Sequence, residues 1–329
     1  FDYSFGHMGG CIDNYSHFFY WNGPNRHDLN ENGTEVFFEG QYFPGLMYDK
    51  AEDFILKNKN KPFFIYYAIN VPHYPLQPTE KWRKHYQDLE MPRRDYAAFL
   101  SSADENIGKL ISLLNDLELR EMTIIFFQSD HGHSYEIRTF GGGGSAGPFR
   151  GGKTSLFEGG IRVPAIISWP GSLPEQEVRA QACHSIDLLP TIAGLCGLDN
   201  VPGNAEGIDL SEIIKHNKQD KERTFHWKLG SQWAVMKGDW KLIGLPRDPS
   251  GKIPLDKQKD RLFLVKLSED SSEVKNMAGD HPDMLEELKK EYLDWEHASK
   301  DDIPVITRIN NKAYGSEIRL NNKAAEKDS

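Results

Sequence analysis

The chain has 329 residues, 39 Lys+Arg against 49 Asp+Glu, and a net charge of −10 with histidine neutral. A hydrophobic share of 38% excludes a disordered chain, and no apolar run approaches the ~18 residues of a transmembrane helix. The acidic balance, without Lys/Arg blocks, excludes a general nucleic-acid binder. Roughly two domains fit this length, with enough chain to bury a core. Cys11, Cys183 and Cys196 are too few for a disulfide scaffold, and none sits in a CxxC pair. Asn14-Tyr15-Ser16 and Asn32-Gly33-Thr34 match the glycosylation sequon, a tripeptide that chance often supplies.

In chain order, Met47, Ala51, Phe54 and Ile55 recur at helical spacing, and a Lys/Asn-rich stretch at 57–61 stops them. Phe63 to Ile69 is a continuous apolar and aromatic run, the pattern of a strand buried on both faces of a parallel sheet. Tyr96, Phe99, Leu100, Ala103, Ile107, Leu110, Ile111 and Leu114 share one helical stripe. A second buried strand is expected at Thr123 to Gln128, running into Ser129-Asp130-His131-Gly132, and a third at Val163 to Trp169. Helix alternating with strand gives an α/β fold with a mostly parallel sheet. Ligands of such sheets bind beyond the carboxyl ends of the strands. Chemistry is therefore expected in loops 70–78 and 129–134 and in the glycine-rich stretch 141–160.

After about residue 222 the pattern changes. Residues 233–236, 240–243 and 262–265 are short strand candidates, and a helix follows with Leu285, Leu288, Tyr292 and Trp295 on one face. This reads as a small antiparallel sheet with a packed helix. The expected organisation is a catalytic α/β domain at 1–222, a small α+β subdomain at 223–300 and a polar tail at 301–329.

Two motif matches are rejected on context. Gly147 to Thr154 satisfies the GxxxxGK[ST] phosphate loop, but four glycines precede it and Pro164 leaves no room for the helix that must face the phosphates. Gly143-Gly144-Ser145-Ala146-Gly147 satisfies GxSxG, but Pro148 forbids the strand-turn-helix setting of a nucleophile elbow.

Three loop features carry chemistry. Asp130 and His131 offer a hard oxygen and a borderline nitrogen just where a strand ends, and Gly132 gives the backbone freedom to converge them on one ion. Read alone, the pair serves equally as a helix cap and a surface histidine. His73, between Pro72 and Pro75, is an imidazole fixed for proton donation or anion contact, or else a satisfied turn residue. Lys153 follows two glycines and presents an unobstructed ammonium to an anion; by itself it is an ordinary loop lysine.

Together these features resemble the type I sulfatase family. The resemblance rests on Pro72-His73-Tyr74-Pro75, Ser129-Asp130-His131-Gly132, and Gly152-Lys153 followed by Glu158-Gly159-Gly160-Ile161-Arg162-Val163-Pro164. Ser185 to Gly194, Lys237 to Ile243 and the stretch from Leu262 to Pro282 extend it to about residue 298. It implies an alkaline-phosphatase-like α/β domain, a C-terminal sheet domain and hydrolysis of sulfate esters of carbohydrates or aryl alcohols. By that resemblance Asp130 and His131 are metal ligands for a divalent cation, Ca or Mg, with Mn admitted by the imidazole. His131 stands where many members carry Asn. His73 and Lys153 contact the sulfate and support departure of the alcohol. From their place at the join between the expected domains, and not from the resemblance, His226 and Trp227 are read as shaping the substrate-binding rim, or else as simple packing. Glu158, Arg162 and Asp187 are structural. A sulfated small molecule or glycan is the expected partner, with no nucleic acid and no membrane, in a periplasmic, secreted or lysosomal setting.

The family's formylglycine arises from C/S-x-P-x-R, which none of the three cysteines fits; Ser172-Leu173-Pro174-Glu175-Gln176 lacks the arginine. The first-strand Asp-Asp pair and the Gly-Lys-Trp-His segment are absent too. Phe1 to Gly6 has no initiating Met and resembles family sequence just downstream of those motifs. The expectation is a C-terminal portion of a sulfatase, inactive alone, with formylglycine supplied by an N-terminal part or a companion fragment. Alternatives are a phosphodiesterase or phosphonate ester hydrolase of the same superfamily, raised by His131, and a non-catalytic carbohydrate-binding remnant.

Overall fold

The computed structural model describes residues 1–20, 25–198, 203, 205–218 and 223–302. The expected polar tail falls almost wholly outside them. The chain divides into two compact units, Phe1–Lys221 with Arg247–Pro254, and Glu222–Pro246 with Leu255–Ser329.

In the first unit, β1 (Phe5–Gly6), β4 (Asn30–Glu31) and β5 (Thr34–Glu35) form a small antiparallel sheet, and β2 (Phe18–Phe19) pairs with β3 (Arg26–His27). Helix α1 (Phe43–Asn58) starts with proline in its first turn, where the missing N–H costs no intrahelical bond. It buries Phe43, Leu46 and Met47 against Ile12 and Leu29, and Tyr67 and Ile69 pack on the same cluster. After α2 (Glu80–His85), α3 (Arg93–Asp116) turns Phe99 and Ala103 onto Val71. The Asn106 side-chain amide of α3 donates to the Pro44 carbonyl of α1 at 3.0 Å. A fully buried phenyl such as Phe99 contributes about 1.5–3 kcal/mol.

The strand expected over Phe63 to Ile69 needs correction. The segment is extended but carries no strand pairing, and its burial alternates. Tyr67 and Ile69 face the core, whereas Phe64 and Tyr66 are 59% and 74% exposed. An apolar run therefore marks here a segment covered on one side only. The second and third strands form, as β6 (Ile125–Gln128) and β7 (Ala165–Ser168), but they pair antiparallel, Phe126 opposite Ile167. The connection between them has one α-helix, α4 (Glu158–Ile161), four residues long. A helix that short cannot serve as the crossover that parallel neighbours need. The chain then passes through a 3-10 turn (Ser185–Asp187) into α5 (Leu188–Leu195) and α6 (Ser211–His216).

In the second unit, β8 (Thr224–Leu229), β9 (Gln232–Lys237), β10 (Trp240–Gly244) and β11 (Leu262–Lys266) form one antiparallel sheet in the order β11-β10-β9-β8. β8 is the strand that sequence reading did not find. Val235, Leu242 and Leu264 lie opposite one another, and α7 (Pro282–Asp302) covers them with Leu288 and Tyr292. This is the small antiparallel sheet and packed helix that the sequence implies.

Candidate active site

The Phe63–Ile69 segment ends in the loop that carries His73. Its backbone N–H donates to the Asn70 carbonyl at 2.8 Å. The ring Nδ1 lies 2.8 Å from the Tyr74 carbonyl, which can only accept, so Nδ1 carries the proton and Nε2 presents a lone pair. Lys153 Nζ stands 3.3 Å from that Nε2 and donates to it. Burial lowers the His73 pKa, against the pull of the Tyr74 carbonyl, and the Lys153 ammonium lowers it further. The imidazole is therefore held towards its neutral form beside the Lys153 ammonium.

Lys153 is placed by its backbone, whose N–H donates to the His133 carbonyl at 2.8 Å. A Cβ on Gly152 would stand 2.7 Å from that same oxygen and 2.7 Å from the Tyr135 ring, so this approach requires glycine. The same crowding explains Gly132, whose added Cβ would stand 1.9 Å from the Gly159 carbonyl oxygen. Its N–H donates to the Gly160 carbonyl at 2.9 Å. The freedom expected of Gly132 is thus one of space. The Glu158-Gly159-Gly160 turn packs directly under the loop holding Asp130 and His131. Glu158 is buried and 3.7 Å from Arg162. Asp187 accepts the His184 and Ile208 N–H groups at 2.8 and 2.9 Å, a structural part for each.

Asp130 and His131 follow β6 directly. His131 Nε2 lies 3.1 Å from Asp130 Oδ2, and its Nδ1 lies 2.8 Å from the Gly132 carbonyl. The Nε2 contact is that of an imidazole N–H donating to the carboxylate, and the same two atoms are of the kinds that bind a divalent cation when the nitrogen carries no proton. Asp130 is 80% exposed at its side chain, so the pair faces open space. No group of three or more His, Cys, Asp or Glu side chains able to hold a metal occurs among the described residues. The pair supplies two donor atoms of kinds that a divalent cation accepts. The two loops meet through backbone, where the Lys153 N–H reaches the His133 carbonyl two residues beyond His131.

Four residues that sequence reading passed over belong to this neighbourhood. Glu136 Oε1 lies 3.4 Å from Lys153 Nζ. Burial works to raise the Glu136 pKa, but the adjacent Tyr74 hydroxyl and the Lys153 ammonium outweigh it and hold the carboxyl below its ordinary value. Tyr20 donates its hydroxyl to the Tyr74 carbonyl at 2.7 Å, bracing the atom that fixes the His73 tautomer. The Arg138 guanidinium is felt at Tyr74 and at buried Cys11. A signal was available for Glu136 and Arg138, charged residues in the loop following a strand, but nothing in the sequence ties them to Lys153.

A polar relay holds the His73 loop from behind. The Asn14 N–H donates to Gln77 Oε1 at 2.8 Å, which leaves the Gln77 amide to donate to Asp13 at 2.7 Å. Asn14 is fully buried and accepts from Asn70 at 2.9 Å, so the first sequon is no glycan acceptor in this fold. Beneath the Lys153 loop, Arg150 pairs with Asp248 at 2.8 Å, both side chains almost wholly buried. His226 belongs to the second unit, on β8, stacked on Trp295 with ring centroids 4.9 Å apart and 3.7 Å from Glu291. The structure thus joins His73 to Lys153 and Asp130 to His131, and gives His226 neighbours of its own unit.

Comparison with known proteins follows the same lines. The sulfatase family model matches residues 3–198, and a model of the N-sulphoglucosamine sulphohydrolase C-terminal region matches residues 149–297. The N-acetylgalactosamine-6-sulfatase of Canis lupus familiaris is 34% identical over 195 residues, 58% of this chain and 36% of that protein. The N-acetylgalactosamine-6-O-sulfatase of Bacteroides thetaiotaomicron is 28% identical over 273 residues, 78% of this chain and 52% of that protein. The crystal structure of Ps i-CgsB superposes with a TM-score of 0.74 at 25% identity, covering 90% of this chain and 66% of that one. The chain spans little more than a third of the length of the mammalian relatives it matches. The family model covers more than half of the chain and spans His73, Asp130, His131 and Lys153 alike: this chain belongs to the sulfatase family.

Proposed function

We propose that these residues form the leaving-group side of a sulfatase centre that cleaves sulfate esters of a glycan. The observation that carries the reading is the 3.3 Å contact of Lys153 Nζ with a His73 Nε2 whose other nitrogen is committed to a carbonyl. In that arrangement one proton is mobile between the two side chains, next to an ammonium suited to a sulfate oxygen. As the S–O bond breaks, the departing alcohol oxygen takes this proton, and the pair regains it from water. Asp130 and His131 would hold one edge of a divalent cation, Ca or Mg by family resemblance, which supplies charge stabilisation to the sulfate oxygens when bound. Formylglycine, the nucleophile of the family, has no source motif in these residues and would come from a segment outside them. Related enzymes named for hexosamine 6-sulfates, and the Ps i-CgsB complex with k-i-k-neocarrahexaose, favour a sulfated saccharide as substrate. An open cleft lined by Asp13, Ser16, Phe18, Tyr20, Asn25 and Pro75 includes one residue of the loop that carries His73, and a sugar would have room there. No helix among the described residues is long and apolar enough to cross a membrane.

The test is metal-dependent release of sulfate from a hexosamine 6-sulfate by the polypeptide with its upstream region. Lys153→Ala is expected to lower kcat/KM about 10²–10⁴-fold. The 329 residues alone are expected to release none. Undiminished turnover by Lys153→Ala, or turnover by the isolated residues, overturns the reading. His131 beside Asp130 favours a second reading, phosphodiester or phosphonate ester hydrolysis. That reading is selected if phosphate diesters turn over faster than sulfate esters.

A further inference from the structure

A carboxylate is out of place in a pocket meant for a sulfate. Glu136 Oε1 nevertheless lies 3.4 Å from Lys153 Nζ, the group next to His73. The Lys153 ammonium and the Tyr74 hydroxyl take two of the about four acceptor positions a carboxylate offers, which leaves the others to be accounted for. The Glu136 side chain keeps 29% of its surface open, so acceptor positions remain for a ligand. It is also anchored, since the Ser134 hydroxyl accepts the Glu136 N–H at 3.2 Å and the Thr139 hydroxyl donates to its carbonyl at 2.7 Å. A fixed, ionised acceptor at the edge of an anion site distinguishes a neighbouring hydroxyl, which donates to it, from a neighbouring anion, which it repels.

We propose that Glu136 is a specificity-determining residue: it accepts the sugar hydroxyl nearest in space to the scissile sulfate and rejects substrates that carry a second sulfate or carboxylate there. This rests on the sulfatase reading. It adds a substrate class to it, glycans sulfated at one position with a free hydroxyl next to it. Lys153 meets the anion of the scissile group and Glu136 inspects its neighbour, so the charge pair divides recognition between two substituents of one sugar that lie close in space.

The experiment uses the polypeptide with its upstream region, a hexosamine 6-sulfate, and the same sugar sulfated at positions 4 and 6. The wild type is expected to prefer the monosulfate by roughly 10- to 100-fold in kcat/KM. Glu136→Gln, which keeps shape and removes charge, is expected to cut that preference by about tenfold, mainly through a lower KM for the disulfate. Glu136→Asp, which keeps the charge, is expected to retain the preference. An unchanged ratio in Glu136→Gln, or equal losses on both sugars at unaltered melting temperature, overturns the proposal while leaving the sulfatase reading intact. If the wild type hydrolyses neither ester, both fall together.

Discussion

His17 shows how a single buried ring sets a pH limit on this fold. It is fully buried, its Nε2 lies 3.0 Å from the Gln41 carbonyl, and its Nδ1 has no hydrogen-bond partner. Burial lowers its pKa from the ordinary 6.5, the Gln41 carbonyl opposes this, and His27 adds to the lowering. The folded chain therefore binds this proton less readily than the unfolded chain. The stability His17 contributes is present above pH 6.5 and is lost as pH falls below it. Its backbone φ of 59° lies in the left-handed region, which asparagine also tolerates. Melting temperatures of wild type and His17→Asn between pH 7.5 and 5 should converge as the pH falls. Parallel curves would show that the ring charges freely in the folded state.

At the scale of elements, the glycine contacts under the site are the most demanding part of the architecture. Gly132→Ala would drive a methyl group into the Gly159 carbonyl, and backbone on both sides leaves little to yield. The expected cost is about 1–3 kcal/mol in urea unfolding, with weakened binding of a divalent cation as the Asp130 loop shifts. Full stability with intact cation binding would remove this account of the Glu-Gly-Gly turn. The glycines were legible in the sequence as a motif, while their reason, contact between loops about 27 residues apart, was not. Helices α1 and α3 were legible because their apolar stripes repeat locally. Phe63 to Ile69 was only half legible, because the number of faces a strand buries depends on neighbours the local pattern does not contain. The site divides in the same way. His73, Asp130, His131 and Lys153 could be read from strand-end loops, but Glu136, Tyr74 and Tyr20 acquire their parts only through contact between loops.

For the molecule as a whole, a net charge of −10 coexists with an apolar strip in the first unit, where Phe127 and Ile166 lie opposite each other across β6 and β7, and with exposed rings at Phe64 and Tyr66. Phe64, Tyr66, Phe127 and Ile166 are all exposed, on extended segments whose backbones are only partly paired. Charge keeps chains apart at long range, yet screening shortens its reach to about 8 Å at physiological salt, where apolar edges and open backbone groups attract. The 329-residue chain should therefore bind the dye ANS in its folded state and sediment as larger species as salt and protein concentration rise. Replacing Tyr66 and Ile166 together by lysine adds charge on that strip and among the exposed rings without touching the cores around Phe43 or Val235. The double variant should melt within a few degrees of wild type, bind less dye and remain monomeric at salt concentrations where the wild type associates. Equal association of the two proteins would place the adhesive surface elsewhere and leave the strip without consequence for solubility.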